Sequence, residues 1–311
     1  MKTMMNNKVY GVIGVMAKMA NWNADFTGYP RTLEDDTIYG SGTTVKHAYR
    51  KYVEQMGLNI LYTRSHQLTE KKVAIRKLNE RFHQLYGMEP NDKEFEKTLK
   101  LLLSTHDVRQ FGATFAVSNI NTAVHGPVQI GFGTNKYEDS NIEVLKISSP
   151  FGNSGKNEDA SAATLGTKVI CDEAHYFYPL SVTPHQLNDF VEMGLAEPYS
   201  REDYEVLKQG LLHAVTNMNS TSKMGCENEL LLLVETEDNL TTIPKLDDYI
   251  EFIKTPSGQR DVIRFNGMNT LNRIGVRSIE IFINSYTTEL SLDEDSDKVV
   301  LKDLYTKEPI G

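Results

Sequence analysis

The sequence predicts an α+β fold, an antiparallel sheet with helices packed on one face and insertions between its strands. Three observations lead there. Short apolar runs rich in Val, Ile and Leu recur along the chain, as in KVYGVIGVMAKM and NELLLLVE. Segments between them, such as VKHAYRKYVEQMG, carry apolar residues at helical spacing. Long polar, glycine-punctuated stretches interrupt the alternation.

Lys8–Met19 reads as a central strand, followed by an Asp-, Gly-, Pro- and Thr-dense loop over Asn23–Gly42. Thr43 or Thr44 offers an N-cap for a helix whose stripe is Val45, Ala48, Tyr49, Tyr52, Val53 and Met56. Gly57 is its natural stop, and Lys46 and Arg50, four apart, are expected to face away from the stripe. Gln67–Thr105 reads as two helices, capped at Thr69 and at Asn91 or Asp92, a helical insertion between sheet elements. FGATFAVSN and PVQIGFG have strand character. Asn135–Thr164 lacks a core-forming pattern and suggests an extended hairpin that orders on a partner. GTKVICDEAHYFYPLSV returns to strand alternation, HQLNDFVEMG and REDYEVLKQGLLHAVTNM give two more helices, and NELLLLVE is a buried strand. RSIEIFINS is expected to be the last strand. This order is compatible with an RRM/ferredoxin-like arrangement.

The 311 residues carry a formal net charge of −9, which argues against indiscriminate nucleic-acid binding. The charge is uneven, however. Thr43–Arg109 holds thirteen Lys/Arg against eight Asp/Glu, whereas Glu227–Gly311 holds nine against seventeen. Phosphate binding needs a local basic surface rather than a basic whole chain. No apolar run approaches the roughly 20 residues of a membrane span. The N-terminal apolar stretch is short and glycine-broken, which favours a strand over a signal peptide. Cys171 and Cys226 lack metal-ligand spacing, so a cytoplasmic chain without a disulfide is expected.

Catalytic signatures are weak. A phosphate-binding P-loop and a GxSxG elbow are missing, and GVIGVM lacks dinucleotide-binding spacing. None of the eight histidines pairs as HxxxH. Asp35-Asp36 and Asp247-Asp248 read as solvated acids, and Asp25 reads as a turn residue before it reads as a nuclease acid. We therefore expect no catalytic residue, no metal and no cofactor. Binding features are more informative. Ser41, Thr43 and Thr44 bring hydroxyls to a helix N-terminus, where free N–H groups and the dipole favour a phosphate, and Lys46 and Arg50 extend that reach. A capped helix with two solvated bases fits the same spacing. Ser220, Thr221, Ser222 and Lys223 form a second hydroxyl-rich turn that is either phosphate-contacting or plain.

Four segments in order resemble the backbone subunits of type I CRISPR effector complexes (Cascade), which are RAMP-superfamily proteins. They are NWNADFTGYPRT with GSGTTVKHAYRKY, then DVRQFGATF, then VHGPVQIGFG, then TSKMGCENELLLLVE. The family's Thr-Asp before the first helix is here Ser41-Gly42-Thr43-Thr44, and its Lys-Arg pair is Lys46-His47. The resemblance, closest to type I-B, implies an RRM-like palm over 1–311, a helical finger at 58–106 and a thumb hairpin at 135–166. It implies a non-enzymatic subunit that polymerises along CRISPR RNA and presents it to target DNA, beside other Cascade subunits. On that reading the RNA-binding residues are Asn23, Ser41, Thr43, Thr44, Lys46, His47, Arg50, Arg109, Gln110, Lys146, Phe151, Ser220 and Lys223, with Ile147 and Phe151 of the thumb wedging between bases. Two rivals stay open: a RAMP relative that cleaves RNA with Asp25, and an unrelated α+β metabolic protein.

Overall fold

The computed structural model describes residues 3–117, 119–148 and 164–310, a mixed α and β chain built mainly from antiparallel strands. The chain opens with β1 (Val9–Ala20), a short β2 (Tyr39–Gly40) and helix α1 (Gly42–Gln55). An insertion follows: hairpin β3 (His66–Leu68) and β4 (Val73–Ile75), then α2 (Leu78–Tyr86), α3 (Phe95–Ser104), α4 (His106–Phe111) and hairpin β5 (Gly112–Val117) and β6 (Ile120–His125). The sheet resumes with β7 (Val128–Ile130), β8 (Gly133–Asn135), β9 (Ile142–Ser148) and the long β10 (Thr164–Val182). Helices α5 (Asn188–Glu192) and α6 (Arg201–His213) lead to β11 (Cys226–Thr236). The remainder is β12 (Ile250–Ile253), β13 (Asp261–Phe265), α7 (Met268–Leu271), β14 (Val276–Ile283), β15 (Thr288–Leu292) and β16 (Val299–Asp303).

The central strand β1 pairs antiparallel with β10 on one side and β11 on the other, within the order β16-β14-β11-β1-β10-β8-β2. Period-2 alternation sends its side chains to two different cores. Ile13 and Val15, with Leu231 and Leu233 of β11, meet Val45, Tyr49 and Val53 of α1 and Leu207 and Leu211 of α6. Val12, with Leu230, Leu232 and Val234, meets Ile263, Phe265, Met268 and Leu271. Both faces of the sheet are therefore covered, not one. The continuous apolar run of β11 is what a strand buried on both faces requires. The second cover is a three-stranded sheet, β12-β13-β15. RSIEIFINS is thus not the last strand: β15 and β16 follow it, and their charged, half-exposed sequences carry little alternation.

The insertion departs most from expectation. TEKKVAI is not helical; Thr69 closes a hairpin turn, its hydroxyl donating to the Lys72 carbonyl at 2.7 Å. Val73 and Ile75 are β-branched and prefer that geometry. The helix starts only at Leu78, where the Lys77 N–H donates to Glu80 Oε2 at 2.6 Å. Asn91 does cap a turn, accepting from Lys93 N at 2.9 Å. Leu61, Phe82, Leu99, Leu102, Val108, Phe115 and Ile120 form a satellite core for this lobe. At the other insertion, β9 pairs with β10 from Ile142↔Cys171 to Ser148↔Thr164, so part of Asn135–Thr164 is a hairpin stem in the isolated chain.

A buried ionic network fixes the three-stranded sheet to the main one. His175 of β10 has Nδ1 at 2.8 Å from Glu229 Oε2 and Nε2 at 3.1 Å from Glu173 Oε1. Glu173 also binds Lys18 and Lys254, and Lys254 binds Asp261 of β13 at 3.0 Å. Both ring nitrogens face carboxylates, which favours the imidazolium. Burial alone pulls its pKa down, but the charge of Glu229 and the hydrogen bonds to Glu173 and Glu229 raise it overall. A raised folded pKa gives stability that is complete below the unfolded value, about 6.5, and lost as pH rises through the folded value. The free energy of unfolding should fall with rising pH across that window, by up to about 1.4 kcal/mol per unit at the steepest point. His175→Gln should flatten the dependence; an unchanged slope in that variant would reject the assignment.

Candidate nucleic-acid interface

Helix α1 begins against the main sheet. Its N-cap is Ser41, in an extended conformation, rather than Thr43 or Thr44, and no side chain caps the first turn. The Ser41 N–H is held by Asn23 Oδ1 at 2.7 Å, which ties the helix start to the loop after β1. Gly42 is required there: a Cβ would lie 2.2 Å from the Ile130 carbonyl oxygen and 2.7 Å from that of Gly131. Thr43 is exposed, and Thr44 Oγ1 lies 3.2 Å from Ser41 Oγ. The hydroxyls of Ser41, Thr43 and Thr44 thus gather at the first turn, where the Thr44 N–H turns back to the Ser41 carbonyl, and hydroxyls at a helix N-terminus suit an anion.

The turn Ser220–Lys223 lies beside this point. Ser222 O accepts from Asn21 N at 2.9 Å, and Ser220 Oγ is 3.4 Å from Ser222 Oγ. Lys223 is mostly withdrawn from solvent: Nζ donates to the carbonyls of Asn21 and Trp22 at 2.5 and 2.7 Å, and burial lowers its pKa. Its role is to brace the β1 exit. His47 is exposed on the same side; burial and the neighbouring Lys51, Arg50, Lys223 and Arg64 lower its pKa, which marks a positive local field. Asn23, Ser41, Thr43, Thr44, His47 and Ser220 are therefore brought together.

Lys46 and Arg50 do not simply face away. Lys46 lies over the Phe111 ring at 5.2 Å, and partial burial lowers its pKa. Arg50 donates through Nε to Asp107 at 2.9 Å and stacks on Phe111 and Tyr62. Asp107, fully buried, also accepts from the N–H groups of Leu61 and Tyr62. Arg50 thus clips α1 to the insertion lobe. Arg109 and Gln110 correct the sequence reading further. Both are buried: Arg109 binds Asp203 at 2.8 Å and the Glu197 carbonyl, while Gln110 binds the Asp203 carbonyl and accepts from Tyr199 Oη. They hold α4 to the start of α6. Lys146 is exposed on the β9–β10 stem, and Phe151 lies outside the described residues.

Sequence reasoning placed Asp25 in a turn but missed the groups around it. Asp25 organises a tight turn, accepting from the N–H groups of Thr27 and Tyr29 at 2.8 and 3.0 Å, and holds Phe26 wholly exposed at its tip. Hydrogen bonds led by that from the Thr27 hydroxyl hold the Asp25 carboxyl below the usual range, so it is a turn residue. Phe132, also exposed, meets Tyr39 edge-on at 5.8 Å. Arg31, in the same loop, has a buried Nε that meets no partner among the described residues. Lys168 reaches the Thr221 carbonyl from β10. The NADFTG turn signature was the available cue for Phe26. Together with the helix start these supply cations, hydroxyls and exposed aromatic faces, the elements of a single-strand groove.

One other cluster bears on chemistry. Glu173, His175 and Asp261 bring potential metal-ligand atoms within 4.8 Å of one another. Lys254 Nζ, 2.8 Å from Glu173 and 3.0 Å from Asp261, takes the place a cation would fill. Among the described residues no helix is long and apolar enough to cross a membrane.

The family described as "CRISPR-associated protein Cas7" matches residues 7–269. Among solved structures, a chain of a "CRISPR RNA-guided surveillance complex, pre-nicking" aligns with TM-score 0.51 and 11% identity, covering 93% of this chain and 96% of that one. Another, from a "CRISPR RNA-guided surveillance complex", gives TM-score 0.45 and 10% identity over 92% and 95%. At 11% identity the first likeness speaks for the fold. No curated protein matches.

Proposed function

This chain belongs to the CRISPR-associated Cas7 family, and from that membership we propose that it is a non-catalytic, guide-RNA-binding backbone subunit of a type I surveillance complex. The observation that carries the reading is the meeting of the hydroxyl-lined α1 start, the Asn23–Gly40 loop and the Ser220–Lys223 turn on one basic face. In this reading the main sheet is the palm, the satellite-core lobe the finger, and the β9–β10 stem the root of the thumb. Copies follow one another along the guide, leaving its bases to pair with target DNA, and further subunits complete the particle. The four resembling segments support a subtype nearest I-B.

Phosphate recognition of this kind is independent of base sequence. Thr43→Ala with Lys46→Ala should weaken all single-stranded RNAs alike and reduce the log–log salt slope by roughly 0.7 for each phosphate no longer neutralised. Unchanged affinity and slope in a folded variant would remove the helix start from the interface. The enzyme reading predicts differently. Incubated with Mg²⁺ and complementary RNA, the assembled protein should leave the RNA intact. Cleavage that disappears in Asp25→Ala would reverse this conclusion.

A further inference from the structure

The β3–β4 hairpin stands out from the insertion lobe with an apolar face that none of the described residues covers. Leu68 pairs with Val73 and His66 with Ile75, so these four side chains share one face. Leu68, Val73 and Ile75 are 85%, 66% and 55% exposed. The opposite face is fastened down, Gln67 Nε2 donating to Glu80 Oε2 at 2.8 Å. Arg64, Lys71, Lys72 and Lys77 are exposed beside the patch, outnumbering the exposed Glu70 of the same turn. A two-stranded hairpin that shows this much aliphatic surface is marginal alone and marks an interaction site.

The complementary surface exists elsewhere on the same chain. Beyond the end of β11, Leu240 is 82% exposed in a turn between Glu237, Asp238 and Thr241. The Glu237 N–H donates to the Gly275 carbonyl, and Asn272, three residues before, donates to Glu294 Oε2 and the Asp295 carbonyl. Glu237 and Asp238 therefore adjoin an exposed leucine, and Asn272 ties Glu294 and Asp295 to the same end of the chain, with Arg273 exposed nearby and Lys8 beside Asp238. This acidic end belongs to the layer built on Val12, Leu230 and Leu232, whereas the hairpin belongs to the lobe joined to the α1 side.

We infer that the basic, aliphatic face of the β3–β4 hairpin of one copy docks on the acidic, Leu240-bearing end of the next. Hairpin against hairpin would set lysines against lysines, so the contact is head-to-tail and does not close on two copies. The face offers aliphatic rather than aromatic side chains, which suits a protein surface better than nucleic-acid bases. This assignment rests on reading the chain as a repeated subunit.

The test uses the RNA-bound oligomer. Leu68→Cys and Leu240→Cys copies, mixed and oxidised, should form a disulfide-linked pair that neither gives alone; Cys171 and Cys226 are buried and do not compete. Lys71→Glu with Lys72→Glu should weaken assembly about tenfold or more, and Glu237→Lys with Asp295→Lys in the partner copies should restore it. Oligomers of normal length without the cross-link would overturn the contact while leaving the RNA reading intact. So would normal assembly in the Lys71/Lys72 variant with loss of target DNA alone, which would make the hairpin a nucleic-acid surface. A wild-type chain that forms no RNA-bound oligomer would overturn the function itself, and the contact with it.

Discussion

Arg109→Met should destabilise the chain by about 3–5 kcal/mol while leaving the RNA affinity of the folded molecules unchanged. Arg109 is 7% exposed and pairs with Asp203, which also caps α6 by accepting from Ser200 N and Oγ. Burial alone raises the Asp203 pKa, but Arg109's hydrogen bond and charge hold it below the usual range. Removing the guanidinium leaves that carboxylate without its counter-charge, held only by Ser200, and takes a donor from the carbonyls of Glu197 and Pro198. A loss of this size is a large share of a domain's whole stability. Urea denaturation and RNA titration of the same preparation separate the two effects. Wild-type stability with weakened RNA binding would show that Arg109 contacts the ligand after all.

Gly42→Ala should damage fold and interface together. Its Cβ would fall within 2.7 Å of two backbone oxygens, which cannot move as a flexible side chain would. Overpacking of this kind costs about 1–3 kcal/mol. The helix must draw back from β7, breaking the Asn23–Ser41 hydrogen bond and re-aiming the first-turn N–H groups. RNA affinity should fall about tenfold, equivalent to about 1.4 kcal/mol, whereas Thr43→Ala should have a smaller effect. Reduced stability with full affinity per folded molecule would put the RNA elsewhere.

The central strand, the α1 stripe with its Gly57 stop at φ +88°, and β11 were legible in the sequence because buried apolar period decides them. The three-stranded sheet was not: IEFI, DVIRF and TELSL are short and carry charges on their outer faces. The β3–β4 hairpin was hidden by Thr69, which serves a turn as readily as it serves a cap. The helix-start hydroxyls were visible from residue type and spacing. The burial of Arg109 was not, because Asp203 is 94 positions away in sequence. A long cation in a binding-like motif looks exposed until its distant partner is known.

The most direct measurement is the nucleic-acid content of the chain purified after co-expression with a CRISPR array. A guide-RNA backbone subunit should emerge as an oligomer with strong ultraviolet absorbance from bound nucleic acid. It should release RNA of one uniform length, with several copies of the chain on each RNA. A nucleic-acid-free monomer from the same co-expression would contradict that role.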